Sequence, residues 1–280
     1  MTVVRPSARH RVALCAVCLA LLPLAGCSSG SSPSEEKTPT GPVRQDLSKA
    51  GSKNKVDAKE FARTIDTAVK GKRTAKITLT GSGGVKGTGS VLYEADSISL
   101  SLDLTSDKQE LKIRLLPEAL YVTLPTLENG KPWLKIEKGA DAPLAQRYAS
   151  LFASVLSSAD LSTVGDRLGD FLIVTSGTEK IGKVEATRYV MELDRDQILA
   201  SIPARLRDVA KTPLTKQLKD AVQHIELYVG PDGLPQRNVA VTMVKDGTAS
   251  TVIDWSAWGQ KVSIAPPPAQ QITPLKDIAS

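Results

Sequence analysis

Histidine and cysteine are almost missing from this 280-residue chain, which holds two of the first and three of the second. The histidines are His10 and His224, and the cysteines are Cys15, Cys18 and Cys27. Clustered Cys/His metal sites need several such residues at set spacings, so a zinc-type centre is excluded. A histidine-based nucleophile relay is excluded as well, because no Gly-x-Ser-x-Gly elbow accompanies the few histidines. Aromatic residues make up only 4% of the chain. Long hydrophobic runs are also missing, and none reaches the roughly 18 residues that a bilayer-spanning helix requires. A large single-sign charge is absent too, since the formal net charge is +6. A nucleic-acid binder of this size would carry a stronger or more clustered excess, so no nucleic-acid partner is expected.

What the chain does have begins at its start. Arg5, Arg9 and Arg11 precede an apolar run from Val12 to Leu22, followed by small residues and Leu24-Ala25-Gly26-Cys27. Positive, apolar, small: this is the order of a secretory signal peptide. The last four residues resemble a bacterial lipobox, in which the cysteine is acylated and becomes the first residue after cleavage. Residues 1–26 are therefore expected to be a signal peptide and Cys27 the lipidation site. The expected location is the extracytoplasmic face of the cell membrane. Cleavage would take the three arginines with it, lowering +6 to +3, and would leave His224 as the sole histidine. It would leave no thiol besides Cys27, so stability must come from packing rather than from a disulfide.

Residues 27–55 are rich in Ser, Pro, Thr, Gly and Lys and poor in bulky apolar side chains. Such a segment cannot bury enough surface to offset its ordering entropy, and it reads as a flexible tether. About 28 flexible residues reach roughly 30 Å on average. Residues 56–265 are expected to form one domain, with 266–280 as a C-terminal tail. Asp57 to Lys70 reads as a helix capped by Asp57, with Ala58, Phe61, Ile65 and Val69 on one face and Gly71 at its end. From Arg73 the period becomes two. Ile98, Leu100, Leu102 and Leu104 alternate with polar residues, as do Leu111, Ile113 and Leu115. Further strands are expected around 120–124, 133–136, 171–178, 184–193, 221–229, 236–245 and 248–258. Helices are expected over 142–157 and 160–168, and again from Asp194 through Leu206. Pro266-Pro267-Pro268 is read as the end of regular structure. The resulting class is α+β: a strongly curved, mostly antiparallel sheet of about ten or eleven strands, with helices covering its concave face.

Motifs for chemistry are weak. The run from Gly81 to Gly89 imitates a phosphate loop but ends Lys86-Gly87-Thr88 instead of Gly-Lys-Ser/Thr, and no helix follows. It reads as a flexible hairpin connection. Carboxylates form no compact constellation, although a glycosidase pair need not be close in sequence. A non-enzyme without cofactor or metal is expected. His224 reads as a sheet residue, Asp194 and Asp196 as helix caps, and Trp255 and Trp258 as packing residues. Arg205, Arg207, Lys211, Lys216 and Lys219 form a basic neighbourhood. It is either a solvated helix face or a contact with anionic head groups, each residue contributing about 1 kcal/mol at such a surface.

Three stretches resemble one family. They are Ile181-Gly182-Lys183-Val184-Glu185-Ala186-Thr187-Arg188-Tyr189-Val190-Met191, Leu227-Tyr228-Val229-Gly230-Pro231-Asp232-Gly233-Leu234-Pro235, and Trp255-Ser256-Ala257-Trp258-Gly259-Gln260-Lys261-Val262-Ser263-Ile264-Ala265-Pro266-Pro267. With the lipobox and tether, their order is similar to that of the actinobacterial LppX/LprA/LprF/LprG lipoproteins. The resemblance implies a LolA/LolB-like half-barrel closed by helices, an apolar cavity holding a lipid, and no fixed catalytic motif. It implies as partners the membrane, a lipid or glycolipid ligand and a membrane transporter. Alternation alone nominates Ile98, Leu100, Leu102, Leu104, Leu111, Ile113 and Leu115 as cavity-lining. The alternative is a packed-core envelope lipoprotein that acts as a protein-interaction or assembly module.

Overall fold

The computed structural model describes residues 54–94, 97–106, 109–124, 130–137, 171–200, 220–244 and 247–275. Helix α1, Ala58–Lys72, begins as the spacing predicts. The Asp57 side chain accepts from the backbone N–H groups of Lys59 and Glu60, both at 2.9 Å. Those donors, Glu60 first, hold the Asp57 carboxyl below its ordinary value. The helix runs slightly beyond the expected stop. Gly71 stays helical and Arg73 takes the left-handed turn, at φ 66°, with its N–H closing on the Val69 carbonyl.

The strands are β1 (Lys55–Val56), β2 (Thr74–Gly81), β3 (Val85–Tyr93), β4 (Ile98–Ser106), β5 (Gln109–Leu115), β6 (Ala119–Thr123) and β7 (Trp133–Glu137), then β8 (Ile173–Ile181), β9 (Val184–Asp194), β10 (Val222–Val229), β11 (Pro235–Val244), β12 (Gly247–Ser256) and β13 (Ile272–Pro274). All 13 join one sheet in the order β1-β8-β9-β10-β11-β12-β2-β3-β4-β5-β6-β7-β13. Among the described residues every pairing is antiparallel except β7 with β13. The margins β1 and β13 do not pair with each other, so the sheet is open and half-barrel-like. The two marginal strands are too short to show a period and exist only through their partners. Regular structure therefore continues past Pro266–Pro268, because Ile272 packs against the cluster containing Trp133 while β13 pairs with β7.

A short helix α2, Arg195–Ala200, follows β9. Asp194 Oδ1 accepts from the Gln197 N–H while Gln197 Oε1 accepts from the Asp194 N–H, both at 2.9 Å, a reciprocal capping box. Asp196 lies in the first turn and pairs with Arg195 instead of capping. The expected helices at 142–157 and 160–168, and the remainder of 194–206, lie outside the described residues.

The glycine run is not a flexible connection throughout. Only Ser82–Gly84 turn, and β3 starts at Val85 with Gly87 and Gly89 inside it. Both glycines sit where neighbours on β4 leave no room. A Cβ on Gly89 would come to 2.1 Å from the Ser101 carbonyl oxygen, and one on Gly87 to 2.5 Å from a Leu104 methyl. The β4 leucines lie across a stretch of strand stripped of side chains.

Candidate functional site

One face of the sheet is apolar along most of its width. Five of the nominated residues, Ile98, Leu100, Leu102, Leu104 and Ile113, are at most 2% exposed, and Leu111 and Leu115 are half-buried. Register brings them together as directly opposed pairs: Leu100 with Leu115, Leu102 with Ile113, Leu104 with Leu111. Such opposed pairs are the unit by which a sheet face coheres. The same cluster takes in Phe61, Ala62, Ile65 and Val69 of α1, together with Ile77, Leu79, Met191, Leu227, Ile253 and Trp255. Helix α1 therefore packs onto this apolar face, which alternation within the strands could not reveal. Phe61 meets Tyr189 of β9 with ring centroids 4.3 Å apart.

The helix does not reach all of it. Val122, Leu134 and Ile136 of β6 and β7 form a cluster that contains no α1 residue, bordered by Leu124 and Leu275, and by Leu111 and Leu120, which also touch the α1 cluster. Trp255 and Trp258 are packing residues, as expected. The Trp255 indole N–H donates to the Tyr93 hydroxyl at 3.2 Å, and the Trp258 ring stacks on Tyr93 at 6.0 Å.

The opposite face carries a polar network that the sequence only hinted at. His224 on β10 stands directly across from Glu192 on β9 and is 3% exposed. Its Nε2 lies 3.4 Å from Glu226 Oε1, while Nδ1 lies 3.8 Å from Glu192 Oε1, with neither of the latter two atoms hydrogen-bonded. The Tyr228 hydroxyl donates to Glu226 at 2.8 Å, and Arg188 approaches the same carboxylate at 3.6 Å. The His224 hydrogen bond, followed by that of Tyr228 and the charge of Arg188, holds the Glu226 carboxyl below its ordinary value against the opposing effect of burial. Burial, and then the Glu226 carboxylate, pushes the Tyr228 phenol well above its ordinary value. Polar residues at every second position of β10 were the available signal, but one strand alone does not tell which carboxylate meets the histidine.

The shift has a definite sign. A depressed carboxyl stabilises the fold above the ordinary carboxyl range, and that contribution is lost as pH falls through the folded-state value. Glu226→Gln is expected to lower stability at neutral pH and to flatten its decline below the usual value of 4.5. Urea titrations of both proteins across that range are the check.

Cys27 and the basic residues Arg205, Arg207, Lys211, Lys216 and Lys219 lie outside the described residues. Among the described residues no group of three His, Cys, Asp or Glu side chains could hold a metal ion, and no helix is long and apolar enough to cross a membrane.

No family model and no curated protein matches the chain. Solved structures do. The chain is similar in fold to two mycobacterial lipoproteins. LprF from Mycobacterium bovis aligns with a TM-score of 0.45 at 13% identity, covering 76% of this chain and 99% of that one. LppX from Mycobacterium tuberculosis aligns with a TM-score of 0.43 at 15% identity, covering 74% and 98%. A lipoprotein-sorting protein domain from Vibrio parahaemolyticus follows, with a TM-score of 0.31 at 10% identity over 71% and 90%.

Proposed function

We propose that the protein is a lipid-anchored envelope lipoprotein that holds the apolar part of a lipid against the inner face of its sheet, for carriage or presentation. The supporting observation is the mismatch between that face and the one long helix that packs on it among the described residues. Thirteen strands at about 4.8 Å spacing span roughly 58 Å, whereas a 15-residue helix is about 22 Å long. Leu111, Leu115 and Leu120 lie at the border of the α1 cluster and stay half-buried, the position where an acyl chain gains contact without displacing the helix. Burial supplies about 0.8 kcal/mol per methylene, so no special polar group or catalytic residue is needed. The signal peptide, the Cys27 anchor and the tether at 27–55 complete the reading. The anchor and tether hold the domain at an average of roughly 30 Å from the membrane that supplies or receives the lipid. A membrane transporter is the partner this arrangement would serve.

The test is organic extraction of the intact protein purified from envelope in mild detergent, followed by mass spectrometry. A stoichiometric lipid is expected, and its content should fall when Leu111 and Leu115 are replaced by Trp. A lipid-free protein that stays so after incubation with envelope lipids would instead assign it to partner binding through a packed core.

A further inference from the structure

The face opposite the apolar one carries a groove that the lipid reading does not use. Its floor is the polar side of β5 and β6, where Lys112 and Arg114 alternate with the inward Leu111, Ile113 and Leu115. Its wall is the segment that returns after β12, Ala265 through Pro268, held in place by the parallel pairing of β13 with β7. The groove is open to solvent and offers about 600 Å³, within the range of sites that take one small molecule.

Charge in this groove is unevenly matched. Register sets Asp103 directly opposite Lys112, but the Asp103 carboxylate is taken by Arg114 at 2.7 Å. Arg114 is itself fixed over the Trp133 ring, 5.6 Å from its centroid. Lys112 is thus left half-buried at the groove floor, its ammonium group without a partner among the described residues. Beside it, the Thr123 hydroxyl oxygen accepts from the Lys112 backbone N–H at 2.8 Å, which leaves its own O–H free to donate. Glu110 supplies an acceptor at the exposed end. An ammonium and a hydroxyl donor on the floor, one acceptor at the rim, and proline and tryptophan walls suit a hydroxylated ring bearing one negative charge.

We propose that this groove binds an acidic sugar unit, a sugar phosphate or a uronate, with its anionic group on Lys112 and its ring against the proline wall. Such a unit occurs as a lipid headgroup or as part of a free glycan, and the two sources are separable. The site lies on the other face from the proposed lipid surface, so its test is independent of whether lipid is extracted from the protein.

The intact protein in detergent would be titrated with glucose 6-phosphate, glucuronate and glucose, observed by calorimetry and saturation-transfer NMR. Binding of the two anions but not of glucose is expected, weakening as salt rises. Lys112→Met should lower affinity about tenfold or more, the scale of one lost charge-assisted hydrogen bond, while Lys112→Arg should largely keep it. Because Lys112 has no side-chain partner among the described residues, Lys112→Met should unfold at nearly the wild-type temperature. Retention of the protein on phosphatidylinositol-containing vesicles in excess of its retention on pure phosphatidylcholine ones, lost in Lys112→Met, would assign the headgroup source, and binding of free anions alone would assign the glycan source. Equal binding of glucose, no binding of either anion, or unchanged affinity in a folded Lys112→Met protein would overturn the proposal.

Discussion

Replacing Cys27 by Ser is expected to move nearly all of the protein from the membrane fraction to the soluble one, the largest effect anticipated for any single substitution. The argument is the arithmetic of hydrophobic anchoring. Each buried methylene contributes about 0.8 kcal/mol, and one myristoyl-length chain binds only marginally, with an association constant of about 10⁴ per molar. Two or more chains on one cysteine multiply such constants and make attachment stable. Among the described residues no helix is long and apolar enough to cross a membrane. Fractionation with immunodetection reads the redistribution. Intact mass of the membrane form should exceed that of the cleaved polypeptide by the mass of the lipid. A Cys27→Ser protein that stays membrane-bound at high salt would refute the anchor.

The second large effect is on stability, at the place where β3 and β4 meet. Leu102 is fully buried, faces Ile113 across one ladder, and lies beside Gly89 across the other. Leu102→Ala is expected to cost about 2–5 kcal/mol, the loss of transfer energy plus a cavity that the flanking strands cannot collapse. The opposite change fails for the opposite reason. Gly89→Ala would force a Cβ to 2.1 Å from the Ser101 carbonyl oxygen, a backbone atom that cannot rotate away. Its expected cost is about 1–3 kcal/mol or somewhat more. Combining the two should not restore stability, because the alanine methyl at position 89 clashes with main chain rather than with the Leu102 side chain. Urea denaturation of the three variants tests this. A double variant as stable as wild type would show that the clash can be relieved by side-chain room alone.

These two sites show where the sequence is readable and where it is not. Leu100, Leu102 and Leu104 announce a buried face because a strand presents alternate residues to alternate sides, a property of the backbone that needs no partner. The capping of α1 by Asp57 is equally local. The glycines of β3 are not. A strand interior rich in glycine looks like a loop until the β4 leucines that occupy its empty positions are in place, so sequence alone reads Gly81 to Gly89 as a hairpin connection. The same holds for β13, whose three residues carry no period and are strand only because β7 offers a free edge. The pairing of His224 with Glu192 and the isolation of Lys112 depend on register between strands. That Lys112 has no side-chain partner among the described residues follows in particular from a diagonal contact, Arg114 to Asp103, that no single strand encodes.

Strand β1 has a mechanical meaning as well. It comprises only Lys55 and Val56, paired with Val174 and Ile173 at the sheet margin, and the Asp57 cap of α1 follows at once. Any pull exerted from the N-terminal side therefore arrives first at a two-residue ladder on an edge. Such a ladder opens one rung at a time, so it yields at far lower load than the core beneath α1. Once it opens, the chain ahead of the helix lengthens by about 7 Å, two residues at extended-chain rise. The margin would act as a small fuse between the N-terminal segment and the domain, giving way before the helix that packs on the apolar face is disturbed.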